Sequence, residues 1–204
     1  MRKIIILLAV LCLYTPAQAK RVFYDDFEDG AIDSRWYDCT ESESGGLLRL
    51  SGGTHCYFKN FGISLSTMTT YTTICSPTES STNYINFILA NTTQNVYMQH
   101  RKHMSSGGTP YRWVKVWVNS VEVWSSDSLS AAPKYLKMIY TPVRKVDCYY
   151  SEDGITWILV YTVNFDVDFI PTYAGYTAES NEPCTSTAGY FLMESSSGHI
   201  ITTK

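Results

Sequence analysis

What the sequence lacks narrows it first. After residue 19 no stretch repeats apolar residues at helical spacing over three turns, which argues against a helix bundle or coiled coil. Charged residues make up only 17% of the chain and aromatics 14%, with 16 tyrosines, so a disordered segment does not fit. Basic runs are missing: none exceeds two residues, Arg101-Lys102 and Arg144-Lys145 among them, and with a formal net charge of -3 there is no nucleic-acid footprint. No C-x-x-C pair suggests zinc, and no G-x-S-x-G elbow suggests a serine hydrolase. Internal repeats and linkers long enough to part domains are also missing, so the length suits one all-β unit.

The first residues read as an address. Met1-Arg2-Lys3 is a basic start, Ile4 to Leu13 an unbroken apolar run, and Ala17-Gln18-Ala19 a small-residue cleavage site. That is the pattern of a signal peptide over residues 1–19, leaving a domain over 20–204 that is secreted, extracellular or periplasmic. The apolar run is shorter than the ~20 residues a bilayer span needs, and no later run replaces it, so no membrane span is expected. Cys12 follows Leu11, where a lipid anchor would want a small residue. Beyond the leader stand Cys39, Cys56, Cys75, Cys148 and Cys184. Export permits disulfides, and an odd number leaves at least one thiol free or intermolecular; buried thiols and one or two bridges are both open.

What is present is β-rich. Short runs of β-branched and aromatic residues recur with Gly, Ser, Asn and Pro between them, which predicts a single antiparallel β-sandwich. The strongest signal is the pair of runs over 143–150 and 157–163, flanking Asp153-Gly154. Asp-Gly predicts a type I′ hairpin turn, with φ > 0 at both central residues. Further strands are expected over 22–27, 47–50, 55–58, 63–65, 71–75, 84–90, 95–102, 111–118, 121–124, 135–141, 173–178 and 189–194, with Asn119-Ser120 closing a tight hairpin.

Two segments resemble a known superfamily. Y-D-D-F-E-D-G-A-I-D-S-R-W (Tyr24 to Trp36) is similar to the D-D-F-x-x-G-x-x-D-x-x-W opening of concanavalin A-like lectin/glucanase domains. V-D-C-Y-Y-S-E-D-G-I-T-W (Val146 to Trp157) resembles the V-x-x-Y-x-S-x-D-G-x-x-W hairpin of the superfamily's laminin G-like modules. The resemblance implies a jelly roll in which 22–27 lies beside 189–194, and a concave sheet that binds sugars. It also implies a structural calcium near an acidic edge in many relatives, for which Asp26, Glu28 and Asp29 beside Asp25 are the residues at hand; a plain acidic turn is the simpler reading. No other cofactor is expected. The laminarinase-like members carry E-x-D-x-E on one strand, a pattern absent here. The nearest approaches, Glu41-Ser42-Glu43 and Asp166-Val167-Asp168, read as solvated turn residues.

Strand alternation then selects a face. Over 111–118 the valines belong to the core, which puts Trp113, Lys115 and Trp117 opposite. Over 95–102, Tyr97, Gln99 and Arg101 share a parity, and over 143–150 so do Lys145, Asp147 and Tyr149. If these strands share a sheet, one face joins Trp113, Trp117, Tyr97 and Tyr149 with Gln99, Arg101, Lys115 and Asp147. Flat rings suit apolar sugar faces, and amides and charges suit hydroxyls. The favoured expectation is therefore a non-catalytic, lectin-like module for surface or matrix glycans, with no catalytic residue assigned. Two alternatives stay open: a structural or adhesion subunit that assembles through protein contacts, and a divergent glycoside hydrolase or polysaccharide lyase using Arg101, His100 or tyrosines.

Overall fold

The computed structural model describes residues 20–39, 42–51, 53–59, 69–77, 82–104, 110–127, 135–142, 144–180 and 185–195, and every regular element within them is a β-strand. Residues 1–19 and the strand expected over 63–65 lie outside the described residues. Antiparallel pairing gathers the strands into two sheets. One has seven strands in the order β10 (Val121–Ser125), β9 (Pro110–Val118), β8 (Asn95–Met104), β7 (Thr82–Ala90), β14 (Tyr173–Ser180), β5 (His55–Lys59) and β2 (Trp36–Tyr37). The other runs β13 (Ile158–Asn164), β12 (Lys145–Ser151), β11 (Tyr135–Thr141), β6 (Thr69–Pro77), β15 (Thr185–Ser195), β4 (Leu48–Ser51) and β3 (Ser42–Glu43), with β1 (Lys20–Asp25) also on β15. The expected neighbours meet: Tyr24 pairs with Leu192 and Asp25 with Phe191.

The sheets face each other across one apolar layer. Phe87, Leu89, Met98, Val116 and Tyr176 enter it from the seven-stranded sheet, and Leu48, Leu50, Leu136, Met138, Tyr140 and Val146 from the other; all are fully buried. Burying each such side chain stabilises by about 1.5–3 kcal/mol relative to leaving it in water. In β9, Val114 and Val116 are buried while Trp113, Lys115 and Trp117 are half-buried on the opposite face, as the alternation predicts. The result is an all-β jelly-roll sandwich.

The Tyr24–Trp36 segment closes one edge of this core. Asp25 accepts the Phe27 amide through Oδ1 at 3.0 Å and the Trp36 indole N–H through Oδ2 at 2.7 Å. Phe27, at a positive φ of 56°, is thereby held fully buried beside Trp36, and Phe23 stacks on Phe58 with centroids 4.2 Å apart. The segment's role is packing, which explains why its pattern carries no chemistry.

Three expectations need correction. Asp153-Gly154 does not form a two-residue turn: six residues separate β12 from β13, and of the pair only Gly154 has a positive φ. Asp153 instead organises the loop by accepting the Thr156 and Ile155 amides at 2.7 and 2.8 Å and the Ser151 hydroxyl at 2.9 Å, bonds that hold its carboxyl well below the usual range. The tight turn with two positive φ values (48° and 66°) is Asn119-Ser120. Second, β12 lies in the eight-stranded sheet, between β11 and β13, so Asp147 and Tyr149 do not join Trp113 and Trp117. Asp147 is spent locally, accepting from Thr162 at 2.6 Å and pairing with Lys145 at 2.8 Å.

The third correction concerns Glu43, which is not a solvated turn residue. It sits opposite the core residue Leu48 and is 8% exposed. Its oxygens approach Asp29 and the Ala31 amide without reaching hydrogen-bond geometry. Withdrawal from water, with Asp25 and Asp29 nearby, pushes its pKa up to about 7. A carboxyl raised in the fold gives stability that is full below its ordinary value of 4.5 and is lost as the pH rises through about 7. Urea unfolding of wild type and Glu43→Gln should therefore diverge across that window. At pH 8 the variant should be the more stable by on the order of 2–3 kcal/mol, and near pH 4 the two should agree.

Candidate functional site

The outer face of the seven-stranded sheet is organised in rows. Register places Trp117, Tyr97, Ile88, Gly175, Tyr57 and Tyr37 side by side across β9, β8, β7, β14, β5 and β2. Two residues along each strand, the next row is Lys115, Gln99, Asn86, Thr177 and His55. Two further, Trp113, Arg101 and Tyr84 align. Successive rows on one face are about 7 Å apart, twice the rise per strand residue. A polar row thus runs between two rows that carry aromatics.

The sequence-selected residues divide by what they touch. Trp117 and Tyr97 stack, with centroids 5.8 Å apart and planes inclined by 8°. The Trp117 Nε1 is buried without a partner among the described residues, so what this half-buried side chain shows to solvent is ring carbon. Gln99 is 5% exposed and is spent inside the face: its Nε2 donates to Asn86 Oδ1 at 3.1 Å, and Asn86 Nδ2 donates to Thr177 Oγ1 at 2.8 Å. This ladder gives both buried amides partners along the row. Lys115 pairs with Glu122 at 2.6 Å. The Arg101 guanidinium lies 6.0 Å from the centre of the Tyr84 ring. His100 is 1% exposed, with the core parity of Met98, and so is off the face.

Of the acidic residues considered for calcium, Asp26 and Asp29 each accept a backbone amide within the loop. Asp26 accepts the Glu28 amide at 3.4 Å and Asp29 the Ala31 amide at 3.0 Å. Among the described residues no three His, Cys, Asp or Glu side chains are placed to hold a metal ion.

Sequence reasoning missed a cleft at the other end of the first row. It measures about 370 Å³ and is lined by Tyr37, Tyr57 and Tyr173, by Ile88 and Ala90, and by Asp38, Asn91 and Asn95. Gly175 stands between Tyr57 and Ile88 in the row and leaves that position bare; a Cβ there would run into the Cys56 carbonyl oxygen and, at 2.9 Å, the Tyr57 Cα. Asp38 Oδ2 meets His55 Nε2 at 2.7 Å, and His55 stacks on Tyr57 with centroids 4.9 Å apart. Burial, helped by Asp38, raises the Tyr57 hydroxyl, which keeps its proton. One signal was legible: Tyr57 lies between Cys56 and Phe58, both buried, so alternation turns it outward.

No family model and no curated protein matches the chain. Solved structures do. A xylan β-1,4-xylosidase from Bacillus halodurans C-125 aligns at TM-score 0.58 and 17% identity over 84% of this chain and 38% of its own. The endo-β-1,3-glucanase of Pyrococcus furiosus aligns at 0.58 and 9% identity over 87% of this chain and 95% of its own. The CBM2 module of the evolved Dit of Lactobacillus casei BL23 phage J-1 aligns at 0.60 and 7% identity, over 90% and 99%. The shared fold is a β-sandwich, as the sequence predicts, and it resembles the one seen in the glucanase and the CBM2 module. At these identities the likeness is one of fold, and the chain spans well under half of the xylosidase.

Within this β-sandwich one covalent link is set at the cleft. Cys39 and Cys56 form a disulfide across 17 residues, joining the neighbour of Asp38 to the residue between His55 and Tyr57. Cys148 is a buried free thiol, pushed out of the titration range of ordinary cysteines by burial. Closing a loop of this length stabilises by about 3 kcal/mol. Urea unfolding without reductant should show the paired variant Cys39→Ser with Cys56→Ser less stable than wild type by a loss of that size.

Proposed function

We propose that the chain is a carbohydrate-binding module that holds a glycan on the outer face of its seven-stranded sheet without cleaving it. The observation that carries this reading is the parallel, stacked Trp117–Tyr97 pair, half-buried on this face beside a polar ladder. Sugar rings have apolar faces that rest on aromatic carbon and hydroxyls that need polar neighbours, and this face supplies both. The comparisons are consistent with it: the named activities of the similar structures concern xylan and β-1,3-glucan.

Among the described side chains of this face no two carboxylates are paired for cleavage: they are Glu122, on the edge strand β10, and Asp38, just after the opposite edge strand β2. Six strand spacings of about 4.8 Å put them on the order of 25–30 Å apart, whereas glycosidic cleavage uses carboxyls about 5–10 Å apart. Glu122 is in addition held by Lys115.

Tryptophan fluorescence of the domain, titrated with soluble polysaccharides, tests the proposal. A saturable change is expected, and Trp117→Ala should weaken binding at least tenfold, about 1.4 kcal/mol. A concentration-dependent rise in mass that Trp117→Ala abolishes, with no response to any polysaccharide, would transfer the face to protein assembly.

A further inference from the structure

The cleft at the Tyr57 end of the row has a one-sided chemistry. Its charged group is Asp38, whose carboxylate His55 holds in place at 2.7 Å. One oxygen of that carboxylate is committed to His55, and an ionised carboxylate keeps further acceptor sites. Asn95, also in the lining, has its Oδ1 buried without a partner among the described residues. No cationic side chain lines the cleft among the described residues. Three tyrosines supply flat apolar surface, with Tyr57 and Tyr173 at 6.2 Å between centroids. An anion brought here would face the Asp38 carboxylate and, among the described side chains of the lining, would meet no cation.

We propose that this cleft receives a single sugar unit that donates hydrogen bonds, a neutral or amino sugar, and that it rejects uronic and sulfated sugars. The inference rests on the carbohydrate-binding reading above and adds to it a second contact point and a charge selection. The volume of about 370 Å³ is near the lower end of ligand pockets, which fits one ring or two and not an extended chain. An ammonium on the sugar would add a charge-assisted bond to Asp38, roughly twice as strong as a neutral one.

Calorimetric titration with hexasaccharides of glucose, glucosamine and galacturonic acid, on wild type, Asp38→Asn, Tyr57→Leu and Trp117→Ala, tests this. Asp38 adopts a positive φ of 52°, a conformation that asparagine tolerates well, so Asp38→Asn should fold as wild type does. Glucose and glucosamine oligomers should bind and the galacturonate should not. Asp38→Asn should weaken the glucosamine oligomer at least tenfold, the glucose oligomer less, and should improve the galacturonate. Tyr57→Leu should weaken both binders. Galacturonate binding to wild type as tightly as glucose would overturn the charge selection. Binding that only Trp117→Ala impairs would overturn the cleft and leave the carbohydrate-binding face standing. No binding by any of the three would overturn both.

Discussion

Each inward residue of a strand commits its neighbours to the opposite face, and the whole site is a product of that constraint. Val114 and Val116 fill the core, so Trp113, Lys115 and Trp117 must stand outside. Phe87 and Met98 do the same for Asn86, Ile88, Tyr97 and Gln99. Antiparallel register then lines these outward residues up across strands, turning local alternation into rows. Without the apolar layer between the sheets there would be no row, and without the Gln99–Asn86–Thr177 ladder the rows would rest on two buried amides with nothing to bond.

How far the sequence could be read follows from the range of each signal. Alternation is local, so the parity of Trp113, Lys115, Trp117, Tyr97 and Arg101 was legible, as was the adjacency of the first and last strands from the Tyr24–Trp36 pattern. Sheet membership is not local. Lys145, Asp147 and Tyr149 alternate as convincingly as the β9 residues, yet β12 pairs only with β11 and β13, its neighbours in the chain. The cleft was hidden for the same reason: Tyr37, Tyr57, Ile88 and Tyr173 come together only through three strand pairings, two of them between residues more than 80 apart. Glu43 was misread because two-residue strands leave no periodicity to detect, and its burial is a property of the edge where β3 meets β4.

The edge at β2 is held in two different ways. On the core side of Trp36 it is closed by the Asp25 bonds, with Glu43 nearby as a carboxyl that prefers to keep its proton, so its stability depends on pH. On the cleft side, beside Tyr37, it is closed by a covalent link and an imidazole–carboxylate contact. The core behind this edge rests on apolar area.

The bare position at Gly175 divides the aromatic row into two plates, one of Trp117 and Tyr97 and one of Tyr57 and Tyr37. Tyr97 and Tyr57 lie three strands apart, about 14 Å at normal strand spacing. On the carbohydrate-binding proposal, a short sugar would occupy one plate and leave the other to water. A longer one that reaches both ties two weak contacts into one molecule, and the second forms at high effective concentration. The face would then act as a ruler, separating glycans by chain length even where their sugar units are identical.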